Sequence, residues 1–228
     1  MTDDDTRARL LAAALPNVAF DGWSRSTFEA AAASADVPLT EARRLFPRGA
    51  IDMAVALHRQ ADAGMVKAIR SADLSTMKIR ERIAFALRAR LAAIPDKEAV
   101  RRSTALFALP THAAEGARLI WETADAVWTA LGDPSRDVNW YSKRATLSAV
   151  WASVVLFWLG DDSLDAQETD AFIDRRIDDV MRIEKAKAQV RENAILGPIA
   201  RPLGRLGELI RAPSLPRNDL PGHWTARP

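Results

Sequence analysis

The chain has 228 residues, of which 48% are hydrophobic and 27% are charged, and its formal net charge is +2. This share of apolar residues can build a packed core, so the composition excludes a largely disordered protein. The absence of cysteine excludes a disulfide framework and thiolate catalysis. The sequence pI is about 9.2, which suits a phosphate-bearing partner without choosing between lipid and nucleic acid.

The first residues and the longest apolar stretch bear on cellular location. Asp3, Asp4 and Asp5 give the start of the chain a charge opposite to that of a secretory or mitochondrial targeting peptide. The apolar stretch at residues 145–160 is shorter than the roughly 20 residues that a membrane-spanning helix needs. We therefore expect a cytoplasmic protein, peripheral to the inner face of a bacterial membrane.

Capping residues, prolines and glycines divide the chain into helices, and no run of alternating β-branched residues predicts a strand. Pro16 is expected to end the first helix, because proline cannot continue the helical hydrogen-bond pattern. The predicted helices span residues 2–15, 27–35, 39–46, 50–71, 77–94, 97–109, 112–131, 139–159, 165–193 and 201–211.

The helix lengths predict an all-α fold of two main parts. Three short helices come first, and a tight turn joins the second and third in helix-turn-helix geometry. This layout resembles the TetR-type regulators. The predicted parts are a helix-turn-helix unit over 1–48, a helical ligand-binding bundle over 49–194, an amphipathic helix over 195–212 and a flexible tail over 213–228.

The helix-turn-helix segment at residues 26–52, STFEAAAASADVPLTEARRLFPRGAID, is similar to the TetR DNA-binding module. Its recognition helix would offer Thr40, Arg43 and Arg44 to DNA. It lacks the Gly-Thr-Leu-Tyr type of sequence common in that family, and two arginines on a short helix also suit a solvated face. A ligand-responsive transcription regulator is therefore the alternative function, and nucleic acid is not the expected partner.

A second resemblance is more specific. Residues 137–181, DVNWYSKRATLSAVWASVVLFWLGDDSLDAQETDAFIDRRIDDVM, and residues 43–53, RRLFPRGAIDM, resemble the ubiquinone-biosynthesis accessory proteins called Coq-nine. The resemblance covers residues 5–211. It implies a TetR-like fold that has given up DNA binding, lipid binding in the second domain, and a partner, the di-iron hydroxylase acting on demethoxyubiquinone. A homodimer is also expected.

The predicted eighth helix is apolar around its whole circumference, which is typical of a buried core helix. Alternatively, Trp151 and Trp158, seven residues apart, would line a slot for an isoprenoid quinone or a phospholipid. The resemblance favours the slot. The candidate lipid-contacting residues are Leu87, Leu91, Ile120, Ala124, Val150, Trp151, Val154, Val155, Trp158 and Ile177.

A cluster of aromatic and charged residues precedes this apolar stretch. Trp140 and Tyr141 suit either a helix-start contact with their own domain or an interaction hot spot. The residues alone leave both interpretations open. The resemblance implies that Asp137, Trp140, Tyr141 and Arg144 contact the hydroxylase.

The last predicted helix has apolar residues at spacings of three and four, with arginines among them. Such a helix suits the interface plane of a bilayer, or else it packs on its own bundle or on a second copy. Pro202 confines the helix to residues 201–211. The candidate membrane contacts are Ile195, Leu196, Ile199, Arg201, Leu203, Arg205, Leu206, Leu209 and Ile210.

Enzyme chemistry is not expected. The sequence has three histidines and no cysteine, no Glu-x-x-His motif and no glycine-rich nucleotide loop. Asp170, Asp174 and Asp178 recur every four residues, but neighbouring arginines favour a salt-bridged helix surface over a metal site. We therefore expect neither a metal nor a cofactor. Together with the amphipathic last helix, the resemblance implies a protein that docks on a membrane and presents a polyprenylated quinone intermediate to the hydroxylase.

Overall fold

The computed structural model describes residues 2–192, with side chains through Arg182. Within this part of the chain there are nine α-helices, one short 3₁₀ turn and no strand, which confirms the all-α class. The predicted amphipathic helix at 195–212, with all its candidate membrane contacts, and the tail at 213–228 lie outside the described residues.

The helices follow the predicted order, with most ends within a few residues of the predicted ones. They are α1 (Asp3–Asp21), α2 (Arg25–Ser34), α3 (Leu39–Leu45), α4 (Ala50–Ser71), α5 (Ile79–Ala92), α6 (Lys97–Phe107), α7 (Ala113–Ala130), α8 (Val138–Gly160) and α9 (Gln167–Glu192), with the 3₁₀ turn Leu164–Ala166 before α9.

The predicted end of α1 is wrong, because the helix continues through Pro16 to Asp21. Proline removes the hydrogen bond that the carbonyl group of Ala12 would accept. Ala12 and Pro16 both lie on the exposed side of the helix, where water can satisfy that carbonyl group. On the other side Ala14 and Val18 are fully buried, and their packing keeps the second half helical.

The first three helices share a core that extends onto α4 and α6. Phe28 and Leu45 pack in it together with Met53 of α4 and Ala99 of α6. The indole Nε1 of Trp23 donates hydrogen bonds to Ser103 Oγ at 2.7 Å and to the carbonyl oxygen of Ala99 at 3.3 Å. The helix-turn-helix unit is therefore fixed to the larger bundle through α6.

A second core joins α4, α5, α7, α8 and α9. Trp151 of α8 lies at its centre with Met65, Leu87, Val127 and Ile173 from the four other helices. The sequence predicts that α8 is buried around its whole circumference. Only part of the helix surface is buried, because Leu156 is 63% exposed.

The Asp161-Asp162-Ser163 motif connects α8 to α9. The carboxylate of Asp161 accepts hydrogen bonds from the side-chain hydroxyl and backbone N–H of Ser163, at 2.6 and 2.9 Å. It also accepts from the hydroxyl and N–H of Thr169, at 2.5 and 2.8 Å. These bonds, led by that from the Ser163 hydroxyl, hold the pKa of Asp161 well below its ordinary value. The motif therefore fixes the start of α9.

The three aspartates spaced along α9 form ion pairs, as the salt-bridged interpretation predicts. Arg88 of α5 lies 3.1 Å from Asp170 and 3.0 Å from Asp174, and Arg80 lies 3.9 Å from Asp178. The pairing arginines come from α5 rather than from α9 itself. These pairs hold α9 against α5.

Candidate ligand cavities and interaction surface

Two cavities, each of about 400 Å³, open on opposite faces of α8. We call the first the His58 cavity, because His58 of α4 lines it, and the second the Lys143 cavity, after Lys143 of α8. Both volumes fall in the range of small-molecule sites. The helical repeat separates them, because Ala152 and Val155 face one cavity while Thr146 and Val150 face the other.

The His58 cavity lies between α4, α6, α7 and α8, and its walls are mainly apolar. Leu57, Phe107, Ile120 and Val155 contribute one wall residue from each of these helices, and Trp151 closes the inner side. The space exists because several lining positions carry small residues, among them Ala54, Ala61, Gly116, Ala117 and Ala152.

One end of the His58 cavity is polar and closed by buried pairs. Arg90 of α5 is buried, and its Nε donates to Asp62 Oδ1 at 2.5 Å. The Thr123 hydroxyl donates to the same oxygen at 2.9 Å. An Arg90 terminal nitrogen donates to the backbone carbonyl of His58 at 2.9 Å. The charges of Asp62 and Arg90 thus compensate each other beneath the cavity.

His58 joins this polar end to α7. Its Nε2 lies 3.1 Å from the carbonyl oxygen of Leu119 and 2.8 Å from Thr123 Oγ1. Burial lowers the pKa of His58 to about 4, so the imidazole is neutral near pH 7.

The Lys143 cavity is apolar at depth and charged at its rim. Ile83, Trp128 and Ile177 line it from α5, α7 and α9. Lys143 Nζ lies 2.7 Å from Asp133 Oδ1, and 5.1 Å from the centroid of the Trp128 ring. The ammonium group is therefore already paired within the protein.

The predicted lipid-contacting residues do not form a single slot. Those lining the His58 cavity are Ile120, Trp151 and Val155. Those lining the Lys143 cavity are Val150 and Ile177. Those fully buried in the core, lining neither cavity, are Leu87, Ala124 and Val154. The last two, Leu91 and Trp158, also line neither. Bulky apolar side chains occur both in the cavity walls and in the packed core, so they do not by themselves indicate a cavity. The cavity depends on the small residues that line it.

An aromatic surface stands at the start of α8. The Trp140 ring lies 6.1 Å from the Trp121 ring and 4.7 Å from the Tyr141 ring, centroid to centroid. We call these three half-buried residues the Trp140 patch. Trp121 belongs to α7, and its place in this patch was not predicted. Asp137 is exposed beside the patch and caps α8 by accepting from the N–H of Asn139 at 3.0 Å.

Arg144 lies beneath this patch rather than on it. The residue is 2% exposed, its Nε lies 2.5 Å from Asp125 Oδ1, and one terminal nitrogen lies 3.2 Å from Asp133 Oδ2. The predicted direct contact between Arg144 and a partner is therefore corrected, because burial leaves the guanidinium group no accessible face. It supports Trp140 instead.

The predicted recognition helix, α3, presents exposed Thr40, Arg43 and Arg44. Arg44 makes two hydrogen bonds to the carboxylate of Asp3, at 2.8 and 3.0 Å. Arg43 lies 3.7 Å from Glu29. Each of the two cations that a DNA contact would use thus has a carboxylate beside it, although Glu29 also pairs with Arg25 at 2.7 Å.

The described residues contain neither a metal-binding cluster nor a membrane-spanning helix. Between residues 2 and 192, no three or more His, Cys, Asp or Glu residues are grouped so that they could bind a metal ion. No helix in the same range combines the length and apolar character needed to cross a bilayer.

A three-helix unit followed by a larger helical bundle is the arrangement of a TetR-like fold. The TetR transcriptional regulator from Nitrosomonas europaea superposes with a TM-score of 0.64. The superposition covers 76% of this chain and 96% of that one, at 21% sequence identity. The TetR-like fold is thereby confirmed, and at this identity the likeness concerns the fold alone.

Sequence comparison confirms the resemblance to the Coq-nine family. The COQ9 family model matches residues 113–184. The probable ubiquinone biosynthesis protein coq9 of Dictyostelium discoideum is 33% identical over 52% of this chain and 39% of its own length. The ubiquinone biosynthesis protein COQ9 of Xenopus tropicalis and of Homo sapiens are 27% and 25% identical, each over 83% of this chain and 62% of its own length. The chain thus spans less than two thirds of these relatives.

The predicted location at the inner face of a bacterial membrane is wrong, because all three relatives are named as mitochondrial proteins. The prediction relied on the acidic residues Asp3, Asp4 and Asp5. In the structure these residues form the first turn of α1, and Asp5 completes a capping box with Thr2. Their negative charge stabilises the N-terminus of α1. The acidic residues are therefore explained by helix capping and do not indicate a cellular location.

Proposed function

We propose that this protein is a non-catalytic accessory protein of ubiquinone biosynthesis. It binds an isoprenoid quinone or a phospholipid in its helical bundle and presents a polyprenylated intermediate to the demethoxyubiquinone hydroxylase at a membrane surface. The observation that carries the proposal is the apolar His58 cavity of about 400 Å³ with one polar end. The relatives, which are named as ubiquinone biosynthesis proteins, indicate the pathway.

The energetics favour transfer of an apolar tail into such a cavity. Each methylene group removed from water contributes about 0.8 kcal/mol, so ten carbons would contribute roughly 8 kcal/mol before the cost of ordering. The cavity walls are mainly apolar, so few polar groups would need to be desolvated. Only Arg90, His58 and the hydroxyls of Ser103 and Thr104 interrupt them.

The Trp140 patch supports the partner-binding part of the proposal. Aromatic residues backed by an arginine are typical of binding hot spots, and Trp140 and Tyr141 keep part of their rings accessible. The membrane-docking part rests on the sequence pattern of residues 195–210. The proposal therefore combines one cavity, one surface and one segment, and each can be tested separately.

The central experiment is mass spectrometry of lipids that co-purify with the protein. Ala152→Trp places a large ring in the His58 cavity, and Thr146→Trp does the same in the Lys143 cavity. Both are half-buried positions on α8, so they form a matched pair. We expect the wild-type chain and Thr146→Trp to retain an isoprenoid or phospholipid and Ala152→Trp to lose most of it.

The opposite pattern, with loss only in Thr146→Trp, would move the site to the Lys143 cavity. Absence of any bound lipid from the wild-type chain purified from membranes would contradict the proposal. Equal urea midpoints for the two variants would show that neither result reflects unfolding.

A further inference from the structure

His58 presents a hydrogen-bond acceptor to the cavity that it lines. The carbonyl oxygen of Leu119, 3.1 Å from His58 Nε2, can only accept a hydrogen bond. Nε2 must therefore carry the proton. A neutral imidazole has one proton, so Nδ1 keeps its lone pair.

Nothing in the described part of the chain occupies that lone pair. No described residue donates a hydrogen bond to Nδ1, although the opposite nitrogen has partners on α7. The His58 side chain keeps 20% of its area exposed and lines the cavity. Nδ1 is not among the buried side-chain atoms without a partner. The open acceptor is therefore not fully buried, and it belongs to a side chain that lines the cavity.

The surrounding charges decide what can approach this nitrogen. Asp62 pairs with Arg90 Nε at 2.5 Å and also lies 3.5 Å from His58 Nε2, so the charges of Asp62 and Arg90 leave the cavity end without net charge when His58 is neutral. A carboxylate or phosphate there would lose its hydration without gaining an unpaired cation, which is costly. Its oxygen lone pairs would also face the lone pair of Nδ1. A neutral hydroxyl group has the opposite character, because it donates a hydrogen bond.

We propose that the His58 cavity selects neutral amphipathic ligands whose polar end is a hydroxyl group, and that His58 Nδ1 is the acceptor that selects them. The apolar part of the ligand lies along Ile120 and Val155, and the hydroxyl group points toward α4. The inference rests on the proposed lipid-binding function, since it assigns a ligand class to the same cavity. Of the ligands proposed above, the inference selects an isoprenoid quinone in its reduced, hydroxyl-bearing form, because the oxidised ring offers only carbonyl acceptors. It excludes fatty acids and phospholipid head groups from the polar end.

The experiment compares three probes of equal tail length on the delipidated full chain. They are 4-nonylphenol, its methyl ether 4-nonylanisole and 4-nonylbenzoate, and binding is measured by calorimetry. One net hydrogen bond predicts that the phenol binds about three- to tenfold more tightly than the ether. The benzoate is expected to bind more weakly than either.

Two variants at His58 separate selection from folding. In His58→Leu the phenol-to-ether ratio should fall to about one, since no acceptor remains. In His58→Gln an amide can donate to Leu119 and still accept from the ligand, so part of the preference should return. If His58→Leu does not fold, ¹⁵N NMR of the wild-type chain gives the same test. The Nδ1 resonance of His58 should move when the phenol is added and stay when the ether is added.

The outcomes distinguish this inference from the function on which it rests. Equal affinity for the phenol and the ether, or tightest binding of the benzoate, would overturn the role of His58 while leaving a lipid cavity. Failure of all three probes to bind the wild-type chain would overturn the lipid-binding function as well.

Discussion

The guanidinium group of Arg144 lies over the indole ring of Trp140, with 3.9 Å between Cζ and the ring centroid. The same guanidinium group is paired with Asp125 and with Asp133. Asp133 also pairs with Lys143 at the rim of the Lys143 cavity. A buried ionic network thus connects that rim to the underside of the Trp140 patch, and Arg144 is the residue that holds Trp140 in place.

The first prediction distinguishes the stabilising role of Arg144 from the proposed contact between Trp140 and the hydroxylase. Arg144→Met should lower the free energy of unfolding by about 3 kcal/mol, because it removes one partner of the buried Asp133. Trp140→Ala should lower it by only about 1 kcal/mol, because Trp140 is only half-buried. Trp140→Ala should nevertheless weaken hydroxylase binding by about 2 kcal/mol or more. Urea denaturation and calorimetry with the purified hydroxylase measure the two effects.

The contrast between these variants makes the test specific. A Trp140→Ala protein that binds the hydroxylase normally would show that the patch is not the interface. An Arg144→Met protein as stable as the wild type would show that the ionic network does not hold the patch.

The second prediction concerns pH. The pKa of His58 is about 4 in the folded protein and 6.5 in the absence of perturbation. The unfolded chain therefore binds more protons between these values, and stability present above pH 6.5 is lost as the pH falls toward 4. At pH 5 the expected loss from this residue is about 2 kcal/mol.

The control for this prediction is His58→Gln, which cannot titrate. Urea midpoints at pH 7.5 and pH 5 should differ less in the variant than in the wild-type chain. An equal pH dependence in both proteins would mean that His58 is not the group responsible.

The helices and the two-part fold could be predicted because local chemistry specifies them. Asp96, Ser24 and Asp137 cap their helices through side-chain hydrogen bonds, and such caps are visible in the sequence. Pro16 is the exception, because proline usually ends a helix but α1 continues through it. Burial of Ala14 and Val18 outweighs it, and that burial depends on helices distant in sequence.

The cavities could not be predicted, because they depend on which side chains are small at converging positions. Trp151 and Trp158 share a stripe of α8, yet only Trp151 lines the His58 cavity. The exposed-patch interpretation of Arg144 failed for a related reason. Its partners Asp125 and Asp133 lie on α7 and in the following loop, and the sequence does not reveal their proximity.

The third prediction tests the close approach of α6 and α7 beside the His58 cavity. A Cβ atom on Gly116 would lie 2.8 Å from Cβ of Phe107, so Gly116→Ala must push the two helices apart. We expect a loss of about 1–3 kcal/mol in the free energy of unfolding. Gly160, the last residue of α8, has nothing within 4 Å of such a Cβ. Gly160→Ala should therefore be neutral or slightly stabilising, and thermal unfolding of the pair would show the difference. Equal destabilisation of both would contradict the tight contact.

The fourth prediction addresses DNA, the ligand of TetR regulators. Arg43 and Arg44 are paired with Glu29 and Asp3, so the wild-type chain should bind DNA weakly and without sequence preference. Replacing both carboxylates, as Asp3→Asn with Glu29→Gln, removes the partners of Arg43 and Arg44, and also that of Arg25, which shares Glu29. If the two arginines of α3 reach phosphates, the slope of log affinity against log salt should steepen by about two.

Fluorescence anisotropy with random duplexes at several salt concentrations measures that slope. Sequence preference should stay absent in the double variant, since phosphate contacts carry no base information. The decisive comparison is between random duplexes and duplexes selected from a pool by the wild-type chain. A preference of about a thousandfold for a selected site would be the behaviour of a specific regulator. It would contradict the expectation that the carboxylates of Asp3 and Glu29 keep this helix-turn-helix unit from acting on DNA.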